Sequence, residues 1–499
     1  MKKHIIQLIL VVSTFFIAVG CDDYLDVNTP SGVQDESDLE AKDIMAPIMR
    51  NTVTANYYAA ITFGNYVQYF GSYGFGASGF TTNATTWNVI YTDILPNIKS
   101  LKAKTAVTGA LHYEAVAKIL EAINMSFAVE CWGDVTYSQA TEPTLYQYPM
   151  LDDGETVYNQ TFDLLNEAIA TLEAPDPSGI FLGSEDIIYG GGTEGYAKWL
   201  RAAYTYKARM QLKMMKNGGT TASDVLASIN KGFTSNDDDF QLDYPDDKTN
   251  PYYSTNIVQR STSNIFNAVN DQLISLMNGS QYPFNGTITE DPRLTAMFVK
   301  ETAVGVASPS TDPWRGFLNG GTGLSSDGQP ANVYYKDGGF HTSSTSPLIL
   351  ITYAEAMFIK AEAEFLANGG TTTSTGTTAS GYSAYLAGIQ ANMTKLDVSG
   401  VAYLADTAVN VGQSNLQLNQ IMKEKYIANI HNTETFSDFR RYNFSSNVFK
   451  GLALRIQQPE DEYLGQWFVR AVYPTSETNS NTNIPYDETS CVTNIWLFE

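Results

Sequence analysis

The chain has 499 residues, with 53 acidic against 30 basic side chains and a formal net charge of −23 at pH 7. That balance excludes nucleic acid as a partner, because a phosphate backbone rewards clustered Lys and Arg, and it offers little to an anionic lipid surface. Three cysteines are too few for a disulfide scaffold, so a chain of this size must rest on its hydrophobic core, with a single Cys131–Cys491 bridge left open.

Lys2-Lys3, an apolar run from Ile5 to Val19 and then Ala18-Val19-Gly20-Cys21 form an export signal, too short and wrongly flanked to span a membrane. The small residues before Cys21 fit a bacterial lipobox, which makes 1–20 a lipoprotein signal peptide and Cys21 the lipidated first residue of the mature chain. Each buried acyl methylene contributes about 0.8 kcal/mol, so such a terminus is a membrane anchor without a transmembrane helix. An ordinary cleaved signal with an unrelated cysteine is the alternative. Asp22 to Ser31 are on the whole polar and turn-prone, include Pro30, and 21–36 read as the lipidated tether; 37–499 read as a single domain.

Within that domain, Ser37-x-x-Glu40 is a capping box at a helix start, continued by Leu39, Ile44, Met45 and Ile48. Trp87, Ile90, Ile94 and Ile98 recur at helical spacing, with Pro96 bending the element. Helices follow at Leu111 to Val129, around Leu164 to Leu172, and at Tyr196 to Met210. From about 219 to 349 the texture turns to loops, with acidic runs at Asp237 to Asp247 and one helix near Asn264 to Met277. Helix returns over Thr352 to Leu366, then around Tyr382 to Thr394 and Leu416 to Ile430, with the Ser/Thr/Gly-rich stretch Gly369 to Gly381 reading as an exposed mobile loop. The fold class implied is mostly α: stacked helix pairs, mainly within 37–218 and 350–445, carrying a loop-rich inserted subdomain. No single repeat period marks the pairs, so they are degenerate.

Catalysis finds no support. HExxH, P-loop, GxSxG and CxxC patterns are all absent from the sequence, and with 53 acidic residues accidental carboxylate pairs at glycosidase spacing carry no weight. Glu355 and Glu362 fall outside the apolar face made by Tyr353, Met357, Ala361 and Phe365, while Arg440 and Arg441 beside Asp438 read as an internal salt bridge. The run Asp237 to Asp247 lacks EF-hand spacing and reads as a solvated acidic loop rather than a calcium site. His112 and His431 sit at helix ends, where capping or packing explains them. The expectation is therefore a protein with no catalytic residues, cofactor or metal.

Binding sugar rings or apolar side chains needs rigid aromatic faces beside amides, hydroxyls or arginine. Two segments supply them: Tyr66 to Phe80 continuing to Trp87-Asn88, and Trp314-Arg315 followed by Tyr334-Tyr335. The ligand-binding candidates are Tyr73, Trp87, Trp314, Arg315 and Tyr334. Burial competes with this reading for Trp87, which shares a stripe with Ile90 and Ile94, and for Trp314.

Five motifs, in order after the lipobox, resemble the SusD/RagB family of Bacteroidetes nutrient-binding lipoproteins: Cys21-Asp-Asp-Tyr-Leu-Asp-Val-Asn28, Cys131-Trp-Gly-Asp-Val-Thr-Tyr137, Ile351-Thr-Tyr-Ala-Glu-Ala-Met-Phe-Ile-Lys-Ala-Glu-Ala363, Glu424-Lys-Tyr-Ile-Ala428 and Asp438-Phe-Arg-Arg441. The tail from Arg470 through Tyr473-Pro-Thr-Ser-Glu477 is similar to the closing segment of a nutrient-binding branch. The resemblance implies four tetratricopeptide-like helix pairs and a lipid-anchored outer-membrane location facing the cell exterior, with Asp22 and Asp23 as a display signal. It also implies a TonB-dependent transporter as partner and a glycan, or in some branches a peptide, as ligand. A pure interaction scaffold without a small-ligand pocket is the competing class.

Overall fold

A computed structural model of the chain describes residues 39–71, 79–245, 249–262, 267–321, 323–457 and 459–499. Cys21, the tether, Ser37 and Tyr73 lie outside them. The first helix among the described residues, α1 (Ala41–Phe63), is capped three residues later than the spacing predicts: the Glu40 amide donates to the Asp43 carboxylate at 2.9 Å, so Glu40 and Asp43 fill the roles expected of Ser37 and Glu40. The next helix is continuous but uneven. α2 (Ala84–Asn88) passes through a π-helical turn, Val89–Ile94, into α3 (Leu95–Thr108). The wide turn sits just before Pro96, which has no amide to donate and whose ring needs room.

Six longer helices and two short ones complete the array: α4 (Leu111–Trp132), α5 (Gly154–Glu173), α6 (Gly192–Met214), α7 (Ala222–Ile229), α8 (Tyr353–Ala367), α9 (Ala379–Lys395), α10 (Leu418–Ala428) and α11 (Glu434–Arg441). α4 packs on α5, α6 on α7 and α8 on α9, and each pair also touches the next, α3 on α4, α5 on α6 and α7 on α8. The mostly helical, paired architecture expected from periodicity is what forms. Gly388 of α9 shows how close the partners come, since a Cβ there would stand 2.8 Å from the Phe358 ring of α8.

Between α7 and α8 the loop-rich region carries short antiparallel pairings that the sequence pattern did not reveal. β1 (Phe70–Gly71) pairs with β3 (Ala268–Val269), and β2 (Phe240–Leu242) with β7 (Leu348–Ile351). β4 (Phe298–Ala303) lies between β5 (Val306–Ala307) and β6 (Val333–Tyr335). The predicted helix appears as Asp271–Met277, with further short turns at Pro251–Tyr253 and Arg293–Met297. A small hydrophobic cluster of Ala268, Phe317, Ala331 and Tyr334 underlies this region, apart from the main core.

Three expectations are corrected. Glu355 and Glu362 are fully buried, not outward-facing: Arg209 donates to Glu355 from Nε at 2.8 Å and Nη2 at 2.7 Å, and Arg441 to Glu362 at 2.8 and 3.1 Å. The segment 369–381 is tied down, with the Gly376 amide donating to the Leu416 carbonyl at 2.8 Å and the Thr378 hydroxyl capping α9 through the Gly381 amide at 2.9 Å. Asp238 and Asp239 are buried rather than solvated, Asp238 taking Arg201 at 2.7 Å and Asp239 pairing with Lys395.

Arg441 also reaches Asp438, the internal bridge that the motif suggested, whereas Arg440 donates to the Glu130 carbonyl at 2.6 Å between the Phe436 and Phe498 rings. Lys213 of α6 joins Glu130 at 2.8 Å to Glu434 at 2.7 Å. Charged groups therefore bind α4, α6, α8 and α11 through their interior. Cys131 and Cys491 are buried free thiols. Among the described residues no helix is long and apolar enough to cross a membrane.

Candidate functional site

The segment 313–317 is pinned along the edge of the β4–β6 sheet. The Asn332 side chain accepts from the Arg315 amide at 2.9 Å and donates to the Pro313 carbonyl at 3.0 Å, while the Arg315 carbonyl accepts from the Asn332 amide at 2.9 Å. Its far end enters the interior: the Phe317 amide donates to Val269 of β3 at 2.7 Å, and Gly316 lies so near Asp271 that a Cβ would meet its Cα at 2.5 Å. Such anchoring holds a surface side chain in place without a lid or cofactor.

Trp314 is half-buried on this segment. Its indole N–H donates to Glu290 at 2.7 Å, and the Lys300 ammonium sits 5.2 Å from the ring centre, itself held by the Asp312 carbonyl at 2.6 Å. Arg315 donates through Nε to Asp327 at 2.6 Å, and that hydrogen bond lowers the Asp327 carboxyl below its ordinary range. The two terminal nitrogens of Arg315 hydrogen-bond nothing among the described residues, and its side chain retains 21% exposure. Glu290 and Lys300 thus flank the Trp314 indole, while the Arg315 guanidinium is paired with Asp327, both side chains carried by one pinned segment.

Tyr334 is buried in the small cluster with Phe317, whereas Trp314 packs against the main core. Tyr334 is 8% exposed, covered by the Arg260 guanidinium 4.6 Å from its ring and by the edge of Phe317. Trp87 is corrected outright: at 2% exposure it meets Trp132 edge-on at 5.0 Å and Tyr91 at 4.4 Å, so its stripe with Ile90 and Ile94 is core. Of the five candidates the structure therefore leaves Trp314 and Arg315 partly exposed on one pinned segment and buries Tyr334 and Trp87. Tyr73 lies outside the described residues.

Further along the same segment, Asn319 enters a small cleft of about 20 Å³ with Asn65, Tyr66, Arg455, Trp467 and Phe468. The Asn319 amide nitrogen donates to the Asn65 carbonyl at 2.8 Å, and the side-chain oxygens of Asn65 and Asn319 are buried without a donor among the described residues. Arg455 lies 4.1 Å over Phe468 and is fixed by Asp461 at 3.1 Å; Trp467 stacks on Phe444 at 4.7 Å. Periodicity could not find this cleft, because its walls come from four separated stretches of chain. Glu290, Lys300 and Asp327 were missed for the same reason.

Four acidic residues of the family-like motifs, Glu355, Glu362, Glu424 and Asp438, are committed to ion pairs. Glu424 takes Arg293 at 2.6 Å and is held down to about 2, since Lys423 and Arg293 outweigh the burial that would raise it. Among the described residues no group of three or more His, Cys, Asp or Glu is arranged to hold a metal ion.

A family model, SusD-like, described as "Starch-binding associating with outer membrane", matches residues 34–462. The chain is similar over 92% of its length to the crystal structure of a SusD/RagB family protein from Bacteroides thetaiotaomicron, at 20% identity, TM-score 0.69 and 99% coverage of that chain. A chitin-binding protein matches at 20% identity and TM-score 0.72, covering 92% of this chain and 100% of that one. A chitin-binding SusD homolog from Flavobacterium johnsoniae matches at 19% identity and TM-score 0.68, covering 92% and 98%. At such identities the likeness carries the fold. No curated protein matches.

Proposed function

The chain belongs to the SusD-like family, and from that premise we propose that it is a non-catalytic outer-membrane binding protein that captures a glycan on the Trp314–Arg315 surface and passes it to a TonB-dependent transporter. Cys21 is its lipid anchor, placing the domain on the cell exterior. The observation that carries the reading is the pinned segment 313–317, which holds a partly exposed indole and, at the next residue, a guanidinium whose two terminal nitrogens hydrogen-bond nothing among the described residues. An indole gives a pyranose ring an apolar contact, and the guanidinium orients its hydroxyls.

Calorimetry of the soluble chain against chito-oligosaccharides, malto-oligosaccharides and a peptide pool tests this. Binding of one glycan class, weakened by about 2 kcal/mol or more in Trp314→Ala with the fold intact, places the indole at the centre of the contact. Binding of peptides alone, or undiminished glycan binding by Trp314→Ala, refutes the assignment.

A further inference from the structure

The helical array has an unfinished end. The C-terminal turn of α3, the start of α1 and residues 180–185 before α6 wall an open groove of about 820 Å³. Glu40, Lys42, Lys104 and Glu185 are charged members of its lining, but its large apolar side chains are unusually bare: Val107 is 88% exposed, Phe181 49% and Ile180 41%. A stacked helical array normally turns a polar face outward at its terminal unit, and a contiguous apolar patch in its place marks a surface that something covers.

The chain supplies an occupant. Leu39, the first described residue, lines the groove itself, so residues 22–38 join the fold at its lip. That segment reads Asp22-Asp-Tyr-Leu-Asp-Val-Asn28 and then Thr29-Pro-Ser-Gly32. A segment that served only as a solvated leash has no use for Tyr24, Leu25 and Val27, three large apolar residues in four. Pro30-Ser31-Gly32 is a turn signal able to send the chain back on itself. Reach is no obstacle, since the twelve residues from Val27 to Leu39 span about 40 Å when extended.

We propose that Tyr24, Leu25 and Val27 dock into the groove lined by Val107, Ile180 and Phe181, so that the segment next to Cys21 caps the first helix pair. The inference does not depend on the glycan reading. Its consequence is mechanical: with the anchor proposed at Cys21, docking at residue 24 leaves only a few residues free, and the domain stands in a set orientation on the membrane instead of swinging on a leash of 17 residues.

Hydrogen exchange on the soluble chain from Asp22 to Glu499 tests it. Amides of 24–27 are expected to exchange at least tenfold more slowly than in the same chain carrying Val107→Asp, a surface change that leaves the fold intact. In a second arm, a thiol placed by Val107→Cys should react with a soluble maleimide several-fold faster once Leu25→Asp is added. Exchange of 24–27 at the unprotected rate, or protection unchanged by Val107→Asp, overturns the proposal. Protection that appears only with dimerisation, read by light scattering, also overturns it and assigns the groove to a second copy.

Discussion

Glu355→Ala isolates the interior charges that join α6 to α8. Glu355 is wholly buried and takes two hydrogen bonds from Arg209, at 2.8 and 2.7 Å. Without it, the guanidinium keeps only the Leu350 carbonyl at 3.0 Å and Glu434 at 3.5 Å. Arginine does not shed its charge to escape burial, and removing one partner of a buried pair costs about 3–5 kcal/mol. The remaining carboxylate of Glu434 puts the expectation near the lower end, about 3 kcal/mol. The exposed pair Lys99–Glu142, with side chains 48% and 39% accessible, serves as control, and Glu142→Ala should cost no more than about 1 kcal/mol. In the double variant Arg209→Met/Glu355→Leu no charge is stranded, so most of the loss should return. Urea unfolding followed by far-ultraviolet circular dichroism, with unchanged slope, measures all three. A loss below about 1 kcal/mol in Glu355→Ala, or a double variant no more stable than the single one, would show that this pair does not hold the helices together.

Burial and Lys395 hold the His341 ring neutral down to about 3, and burial with the nearby His341 holds His431 well below its ordinary value. The unfolded chain takes up these protons near pH 6.5 and the folded chain does not, so stability present at neutral pH falls as pH drops from about 6.5 toward 3. For His341, whose Nε2 is enclosed although its ring reaches the surface in part, the loss by pH 5 is at most about 2 kcal/mol. His341→Gln should flatten the wild-type decline by that amount in unfolding midpoints, and parallel curves would refute it. Trp87→Ala should destabilise by about 3–5 kcal/mol in the same unfolding assay; an intact fold with altered ligand affinity would return Trp87 to the binding surface. Cys21→Ser should move the protein from the membrane to the soluble fraction, checked by detergent-free fractionation and N-terminal mass; full retention on membranes would contradict the anchor. Concentrated pure protein should release no product from glycans or peptides, and turnover abolished by one carboxylate substitution would overturn the non-catalytic reading.

What the sequence disclosed follows from what each interaction looks like along a chain. Apolar residues at helical spacing located α3 to α6 and α8 to α10, because burying one face leaves a local trace. Glu355 and Glu362 were misplaced because a carboxylate belongs in water unless a cation meets it, and Arg209 lies 146 positions away from Glu355. β2 and β7 span three and four residues, too short for alternation to register. The segment 369–381 has the composition of a free loop, yet its backbone bonds are made to residues 413 and 416. At the candidate site, Trp314-Arg315 stood out by residue type alone. The groups that fix them, Glu290, Lys300, Asp327 and Asn332, lie 12 to 24 positions distant and follow no spacing rule.

The hydroxyl of Tyr69 bonds to the Tyr426 carbonyl and Thr435, β1 waits for residues 268 and 269, and the Glu130 carbonyl is met by Arg440. The first-made part of the chain therefore closes against the last-made part. Contacts of such sequence separation form slowly, since the intervening loop must be closed before they are rewarded. A chain emerging amino terminus first lacks these ties until residues 426 to 440 are free. In an exported protein, as the anchor proposed at Cys21 would make this one, these ties would act as a timer that keeps the chain pliable through translocation. Carboxy-terminal truncation should accordingly yield aggregation rather than a smaller folded protein.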